Sequence, residues 1–272
     1  MSFGYQNLHS HTTYCDGDLP PEALIKAALK KGCRSLGFSE HSYIDFDTYY
    51  SMDLDRTSEY VHEVNSLKEK YKGEIEIFLG LERDYLTESA PDGLDFVIGT
   101  VHYVNKGGEY VSVDAGAKHQ NRMVKTYFGG DYYEMAEDYF AVVAGIIKKT
   151  KADIVGHFDL AAKYNFSGSL FDEMHPRYVN AALGAMEEIL KDCNIFEVNT
   201  GAMYRFNKPE PYPSVFLLKE LRKRGGEVIM SSDSHDAQSL CFKFHEMHEL
   251  LKSCGFKHIK RLTENGFIDV EL

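Results

Sequence analysis

Metal-binding side chains recur along this chain at places where strands would bring them together. His9-Ser10-His11, Glu40-His41, Glu82, His102, His157 and Asp233-Ser234-His235 each stand at the end of a short apolar or β-branched run. Successive side chains of a strand alternate between its faces, so His9 and His11 share one side and can bind an ion together. Asp233 and His235 repeat the arrangement with a carboxylate. Imidazole mixed with carboxylate suits zinc, manganese or iron, whereas calcium and magnesium prefer shells of oxygen. Glu82 is of the type that can bridge two ions about 3.5–4 Å apart. Any one histidine at a strand end is more often a packed or surface residue, but such residues at six strand ends are not independent accidents. Glu40 alternates away from His41 and is expected to hold a histidine rather than an ion.

The runs that position these groups are Tyr5–His9, Arg34–Ser39, Ile75–Leu81, Asp95–Val101, Asp153–Gly156, Phe196–Asn199 and Glu227–Ser231, which read as strands. Helical segments separate them: Pro21–Lys31 closed by Gly32, Ser58–Lys72 with Val61, Val64 and Leu67 on one face, Asp131–Lys149, Pro176–Asp192, Pro213–Arg224 and Ala237–Ser253. Such alternation implies parallel strands with right-handed crossovers, and seven repeats close more easily into a barrel than they spread into an open sheet. The expected fold is α/β, a distorted TIM-like barrel with about seven β/α repeats. Its metal site falls at the C-terminal ends of the strands, where the active sites of such barrels lie. Residues 1–272 read as a single domain, since no linker or low-complexity tract divides them. Tyr103 to Gly130 reads as a loop over the site, and the β-like run Gly266–Val270 has no assigned place in the barrel.

Composition narrows the function. A hydrophobic fraction of 43% over 272 residues supports a large core. No apolar run nears the roughly 18 residues of a membrane span, and Met1 to Ser10 carries no secretory signal, so a soluble cytoplasmic protein is expected. Cys15, Cys33, Cys193, Cys241 and Cys254 contain no CxxC pair and fit reduced thiols, with Cys15 packed beside the metals. A net charge of −12 disfavours nucleic acid as a partner, though bound cations would cancel part of it. His245 and His248 flank Glu246 at a spacing that is not HExxH and read as surface residues; His62, His175 and His258 fall outside the pattern, and His119 lies in the long loop. Asp45, Asp47, Asp53 and Asp55 lack the glycine and terminal glutamate of a calcium loop and read as a solvated lid. No P-loop, Rossmann glycine pattern or GxSxG elbow is present.

HSHTTYCDG at 9–17, SEH at 39–41, GLE at 80–82, GTVH at 99–102, GHFD at 156–159 and SDSH at 232–235 resemble, in order and spacing, the polymerase and histidinol phosphatase (PHP) superfamily. GHFDLAAKY at 156–164 and EVNTGAMYR at 197–205 look most like its stand-alone histidinol-phosphate phosphatases. The resemblance implies that His9, His11, Glu82 and Asp233 hold one ion, Glu82, His102 and His157 a second, and Asp16, His41 and His235 a third. Asp16 replaces a histidine found in some members, and as a harder ligand it favours manganese or iron over zinc or weakens the third site. Lys163 and Arg205 match the family's phosphate-binding positions; a lysine keeps the charge of an arginine without its two-toothed grip.

The expected activity is hydrolysis of a phosphate monoester by a hydroxide bridging two or three divalent ions (Zn, Mn or Fe). Glu82, Asp233 and His157 serve as catalytic residues, and Arg205 neutralises the phosphoryl oxygens. By resemblance the substrate is L-histidinol phosphate of histidine biosynthesis, its amine meeting Asp45 or Asp47. The alternatives are phosphotyrosine or another small monoester, a 3′–5′ exonuclease, and a non-catalytic metal-dependent binding module. The last is disfavoured because a structural metal closes with four ligands, while here all nine positions are occupied.

Overall fold

The computed structural model describes residues 4–272. Its strands, in chain order, are β1 (Gln6–Asn7), β2 (Ser35–Phe38), β3 (Glu76–Asp84), β4 (Phe96–Thr100), β5 (Tyr103–Lys106), β6 (Glu109–Ser112), β7 (Ile154–Val155), β8 (Ile195–Asn199), β9 (Glu227–Ser231), β10 (His258–Thr263) and β11 (Gly266–Glu271). The first four, with β7, β8 and β9, form one seven-stranded sheet in that order, every pair parallel. Its two edges meet just beyond β1 and β9. Ser10 bridges Ser234 in parallel, the His11 N–H donates to Ser234 O at 2.8 Å, and the Ser234 N–H donates to His9 O at 3.1 Å. The sheet thereby closes into the expected barrel, and each of its strands overlaps a run read from the sequence, β3 continuing past Leu81 to Asp84 and β8 starting one residue earlier at Ile195.

The helices are α1 (Pro21–Lys30), α2 (Leu54–Lys70), α3 (Ala117–Tyr127), α4 (Tyr132–Val143), α5 (Ile146–Thr150), α6 (Pro176–Ile189), α7 (Gly201–Phe206), α8 (Val215–Lys223) and α9 (Phe244–Ser253). Local chemistry sets their starts. Asp53 accepts from the Arg56 N–H to open α2, Asp131 accepts from the N–H groups of Tyr133 and Glu134 to open α4, and His175 accepts from the Arg177 N–H to open α6. Among the described residues no helix is long and apolar enough to cross a membrane.

Three expectations change. Asp131–Lys149 is not one helix but breaks at Ala144-Gly145 into α4 and α5. Glycine is a weak helix former, and this one lies so close to Tyr85 that a Cβ would stand 3.3 Å from the ring. Ala237–Ser253 is helical only from Phe244, since the preceding residues form turns in which Cys241 and Lys243 take left-handed backbone. Residues 103–130 are not a loop but the β5–β6 hairpin followed by α3.

Inside the barrel, Leu8, Phe78, Phe96, Ile98, Ile154, Ile195 and Ile229 pack together with Leu262 from β10. Phe96 fills the space that Gly80 leaves: a Cβ on Gly80 would lie 2.2 Å from its ring. The β10–β11 hairpin thus meets the barrel core at the end opposite the metal-binding residues, which settles the place of the C-terminal β-like run. Helix faces cover the outside, with Leu24, Tyr60 and Val64 buried on one side and Tyr139, Tyr178 and Leu217 on another.

Candidate metal centre

The strand period that turns Phe78 into the barrel also turns Gly80, Glu82 and Asp84 inward, so Glu82 stands directly above the apolar core. It is 1% exposed. Its two oxygens face different groups. Oε2 lies 3.2 Å from His9 Nε2, 3.4 Å from His11 Nε2 and 2.8 Å from His41 Nδ1, while Oε1 lies 3.0 Å from His157 Nε2 and 3.4 Å from His102 Nε2. Asp233 Oδ1 closes the first group, 3.4 Å from His11 Nε2 and 3.8 Å from His9 Nε2. Asp16 stands at the lip, with Oδ1 3.6 Å from His41 Nε2 and Oδ2 3.2 Å from His235 Nε2. All nine residues singled out in the sequence, His9, His11, Asp16, His41, Glu82, His102, His157, Asp233 and His235, therefore converge. His41 sits between the groups, close both to Glu82 and His102 and to Asp16, His11 and His235.

The donor set fits a cation. His9 Nε2 and His11 Nε2 are buried, close to Glu82 Oε2, and without a hydrogen-bond partner. Leaving such atoms unpaired costs on the order of 1–3 kcal/mol each, a penalty that a shared ion removes. Without an ion the imidazoles and carboxylates neutralise one another, and an ion that bound would displace the protons they share. Burial alone would lift the Glu82 carboxyl, but His41 and His9 hold it well below the usual range. Burial, with the charges of His41 and His235, lowers His11 to about 3, so it stays a neutral ligand. His102 is pulled down by burial yet ends raised to about 9 through its hydrogen bond with Asp84 and the charge of Glu82.

Residues not singled out in the sequence orient these ligands. Glu197, in phase with Ile195 on β8, takes His9 Nδ1 at 2.8 Å, the Ser231 hydroxyl at 2.6 Å and the backbone N–H of His157. Asp84 takes His102 Nδ1 at 3.0 Å. Both carboxylates fix which imidazole nitrogen faces the centre. Asp84 carried a signal, standing two residues after Glu82 in the same strand phase, whereas the run IFEVN does not declare which way Glu197 faces. Glu40 departs from expectation. It bonds no histidine but accepts from the Thr12 N–H and hydroxyl and from Cys15 Sγ at 2.7 Å, pinning the turn between His11 and Asp16. Cys15 does lie beside the centre, 3.4 Å from His11 Nδ1.

Above the ligands opens a cleft of about 420 Å³, with Arg205 and Lys163 on its wall. Arg205, from α7, donates to Asp233 O at 2.7 Å, Asp233 Oδ2 at 2.9 Å and His235 Nδ1 at 2.6 Å. Lys163 donates to Asp114 Oδ2 at 3.0 Å. Tyr212 also lines the cleft, its buried hydroxyl unpartnered. Of the supposed acidic lid only Asp47 reaches the cleft, accepting from the Tyr103 hydroxyl at 2.6 Å; Asp45 lines a separate hollow, Asp53 caps α2 and Asp55 lies in its first turn. His119 is exposed on α3 and lines a hollow beside the cleft, not the cleft itself.

Known proteins place the chain in a family. The probable histidinol-phosphatase of Deinococcus radiodurans is 28% identical over 94% of this chain and 98% of its own length. The histidinol-phosphatase of Bacillus subtilis is 24% identical over 89% of this chain and 97% of its own. The solved histidinol phosphate phosphatase of Lactococcus lactis, complexed with zinc, L-histidinol and phosphate, superposes with a TM-score of 0.75 at 21% identity, covering 97% of this chain and 99% of that one. The PHP domain model matches residues 7–201, carrying the motifs from His9 to His157, and the chain belongs to the PHP domain family.

Proposed function

We propose that residues 1–272 act as one metal-dependent phosphomonoesterase unit that hydrolyses L-histidinol phosphate to L-histidinol and phosphate. The observation that carries this reading is the division of Glu82: one oxygen faces His9, His11 and His41, the other faces His102 and His157, beneath a cleft walled by two cations. His9, His11, Glu82 and Asp233 would hold one ion, Glu82, His102 and His157 a second, and Asp16, His41 and His235 a third. Divalent ions held there would lower the pKa of coordinated water to about 7 and offset charge on the phosphoryl oxygens.

The chain's own residues do the rest. Arg205, braced by Asp233 and His235, and Lys163, braced by Asp114, meet the phosphate with side chains already fixed, so little order is lost on binding. The Tyr212 hydroxyl is free to donate to a substrate oxygen. Burial would lift the Asp233 carboxyl, but Arg205 and His9 hold it well below the usual range, so Asp233 would meet an ion as an anion. The names of the relatives and the zinc, histidinol and phosphate in the Lactococcus structure support this substrate and zinc among the candidate ions.

The test is phosphate release from L-histidinol phosphate beside phosphotyrosine and an aryl phosphate, after chelation and separate reloading with zinc, manganese and iron. We expect preference for histidinol phosphate, lost with chelator and reduced at least about 100-fold in Glu82→Gln. Metal-dependent hydrolysis without that preference would discard the substrate and keep the chemistry; cleavage of a labelled single strand instead would make the protein an exonuclease.

A further inference from the structure

Two cysteines 208 positions apart meet where the barrel closes. Cys33 follows α1, its N–H bonded to Ala28 O at 3.0 Å, and leads into β2. Cys241 lies in the segment between His235 and α9. Both are free thiols, and their sulfurs are 3.4 Å apart. Among the described residues no other two cysteine sulfurs are in contact.

The surroundings hold this pair in place. The Lys31 ammonium, at the end of α1, donates to Gln238 O at 2.7 Å and Leu240 O at 2.8 Å. Ser232 Oγ accepts from the Cys241 N–H at 3.0 Å and touches Ser234 Oγ at 2.7 Å, next to the bridge that closes the barrel. Cys241 itself has φ +57°, a conformation that a non-glycine residue keeps only where its neighbours impose it. Neither thiol has a part in the metal centre.

We propose that Cys33 and Cys241 are a redox modification site: under a peroxide they form a reversible disulfide that staples the α1–β2 junction to the segment following Asp233 and His235. A disulfide needs its sulfurs at about 2.05 Å, a modest approach for thiols already in contact. The hydrogen bond from Cys241 lowers the Cys33 thiol, against its burial, and Lys31 adds to the lowering, which favours Cys33 as the nucleophile. Its thiolate attacks a peroxide oxygen, an S–O bond forms, the O–O bond breaks, and the leaving hydroxide takes the Cys33 proton as water. The Cys241 sulfur then attacks Cys33 sulfur, the S–O bond breaks, and hydroxide leaves with the Cys241 proton as a second water. Two thiols are oxidised and one peroxide is reduced to two waters.

The proposal does not depend on the substrate. Metal-loaded wild-type protein would be treated with hydrogen peroxide, its remaining thiols alkylated, and its peptides mapped by mass without reductant. Expected are one Cys33–Cys241 linked pair, a protein lighter by two hydrogens before alkylation and carrying two fewer alkyl groups after it, and a rise in unfolding temperature that a thiol reductant reverses and that Cys241→Ser lacks. Oxidation confined to Cys15 or Cys193 while both members of the pair still alkylate would overturn the site. A linked pair with no change in unfolding temperature would overturn the staple.

Discussion

Two buried carboxylates decide how the ligand histidines are presented. An imidazole offers a lone pair at one nitrogen only when the proton is held at the other, and Glu197 and Asp84 hold it on His9 and His102. We expect Asp84→Asn to lower metal affinity or activity about 10–100-fold, because an amide accepts more weakly and can turn its NH₂ toward the ring. Glu197→Gln should cost more, since Glu197 holds two ligands, His9 and the His157 N–H, along with Ser231 and Asn199, whereas Asp84 holds one ligand, His102, and the Leu86 N–H. Metal titration of the two variants beside wild type, followed by kcat/KM at saturating metal, gives the order; equal losses would mean that the extra bonds of Glu197 do not reach the centre. The ligands were legible in the sequence because they stand at strand ends, where a polar group needs a reason. Glu197 was not, because a strand such as IFEVN gives no sign of whether its one carboxylate faces solvent or the barrel until the phase of Ile195 is known.

At the scale of elements, the β5–β6 hairpin and β10 were missed, but the seven barrel strands were read more accurately than the helices, for a physical reason. A barrel strand buried on both faces is an apolar run with short margins, whereas a helix boundary depends on single capping residues and on what packs against the turn. Asp131 illustrates a cap that local sequence does specify. It accepts from two N–H groups at the start of α4 and also meets Arg177 of α6 at 2.7 Å. Asp131→Ala should therefore destabilise the fold by about 1 kcal/mol, mostly through the lost cap, because the ion pair is partly exposed and contributes little. Urea unfolding would show this as a lower midpoint at unchanged slope. The break before α5 is the opposite case: Gly145 marks it locally, but the reason a side chain is crowded there is Tyr85, sixty residues upstream, which no window around Gly145 contains.

For the whole molecule, the two ends of the barrel divide chemistry from stability. At the upper end, carboxylates and imidazoles crowd around unpaired buried atoms, so the folded state gains from any ion that binds there and not to the unfolded chain. Chelation should lower the unfolding temperature and reloading should restore it, with about 4 kcal/mol expected at an ion concentration 1,000 times the dissociation constant. At the lower end the fastening is apolar. Leu262 is 3% exposed among Leu8, Phe78, Phe96 and Ile229, and the Gln6 side chain bonds both its carbonyl, at 2.9 Å, and its N–H, at 2.8 Å. The amide of Gln6 thus does for β10 what a neighbouring strand would, tying a hairpin outside the sheet to the first strand of the barrel. Leu262→Ala should cost about 2–5 kcal/mol of stability through lost burial and the cavity left behind. Since the barrel core separates it from Glu82, kcat and KM of the folded enzyme should stay at wild-type values, the reverse of Asp84→Asn, which should impair the metal centre while leaving the apolar lower end intact. Denaturant unfolding and steady-state kinetics on both variants would decide the point; a change in kcat for Leu262→Ala at temperatures where the protein is fully folded would show that the two ends are coupled through the strands.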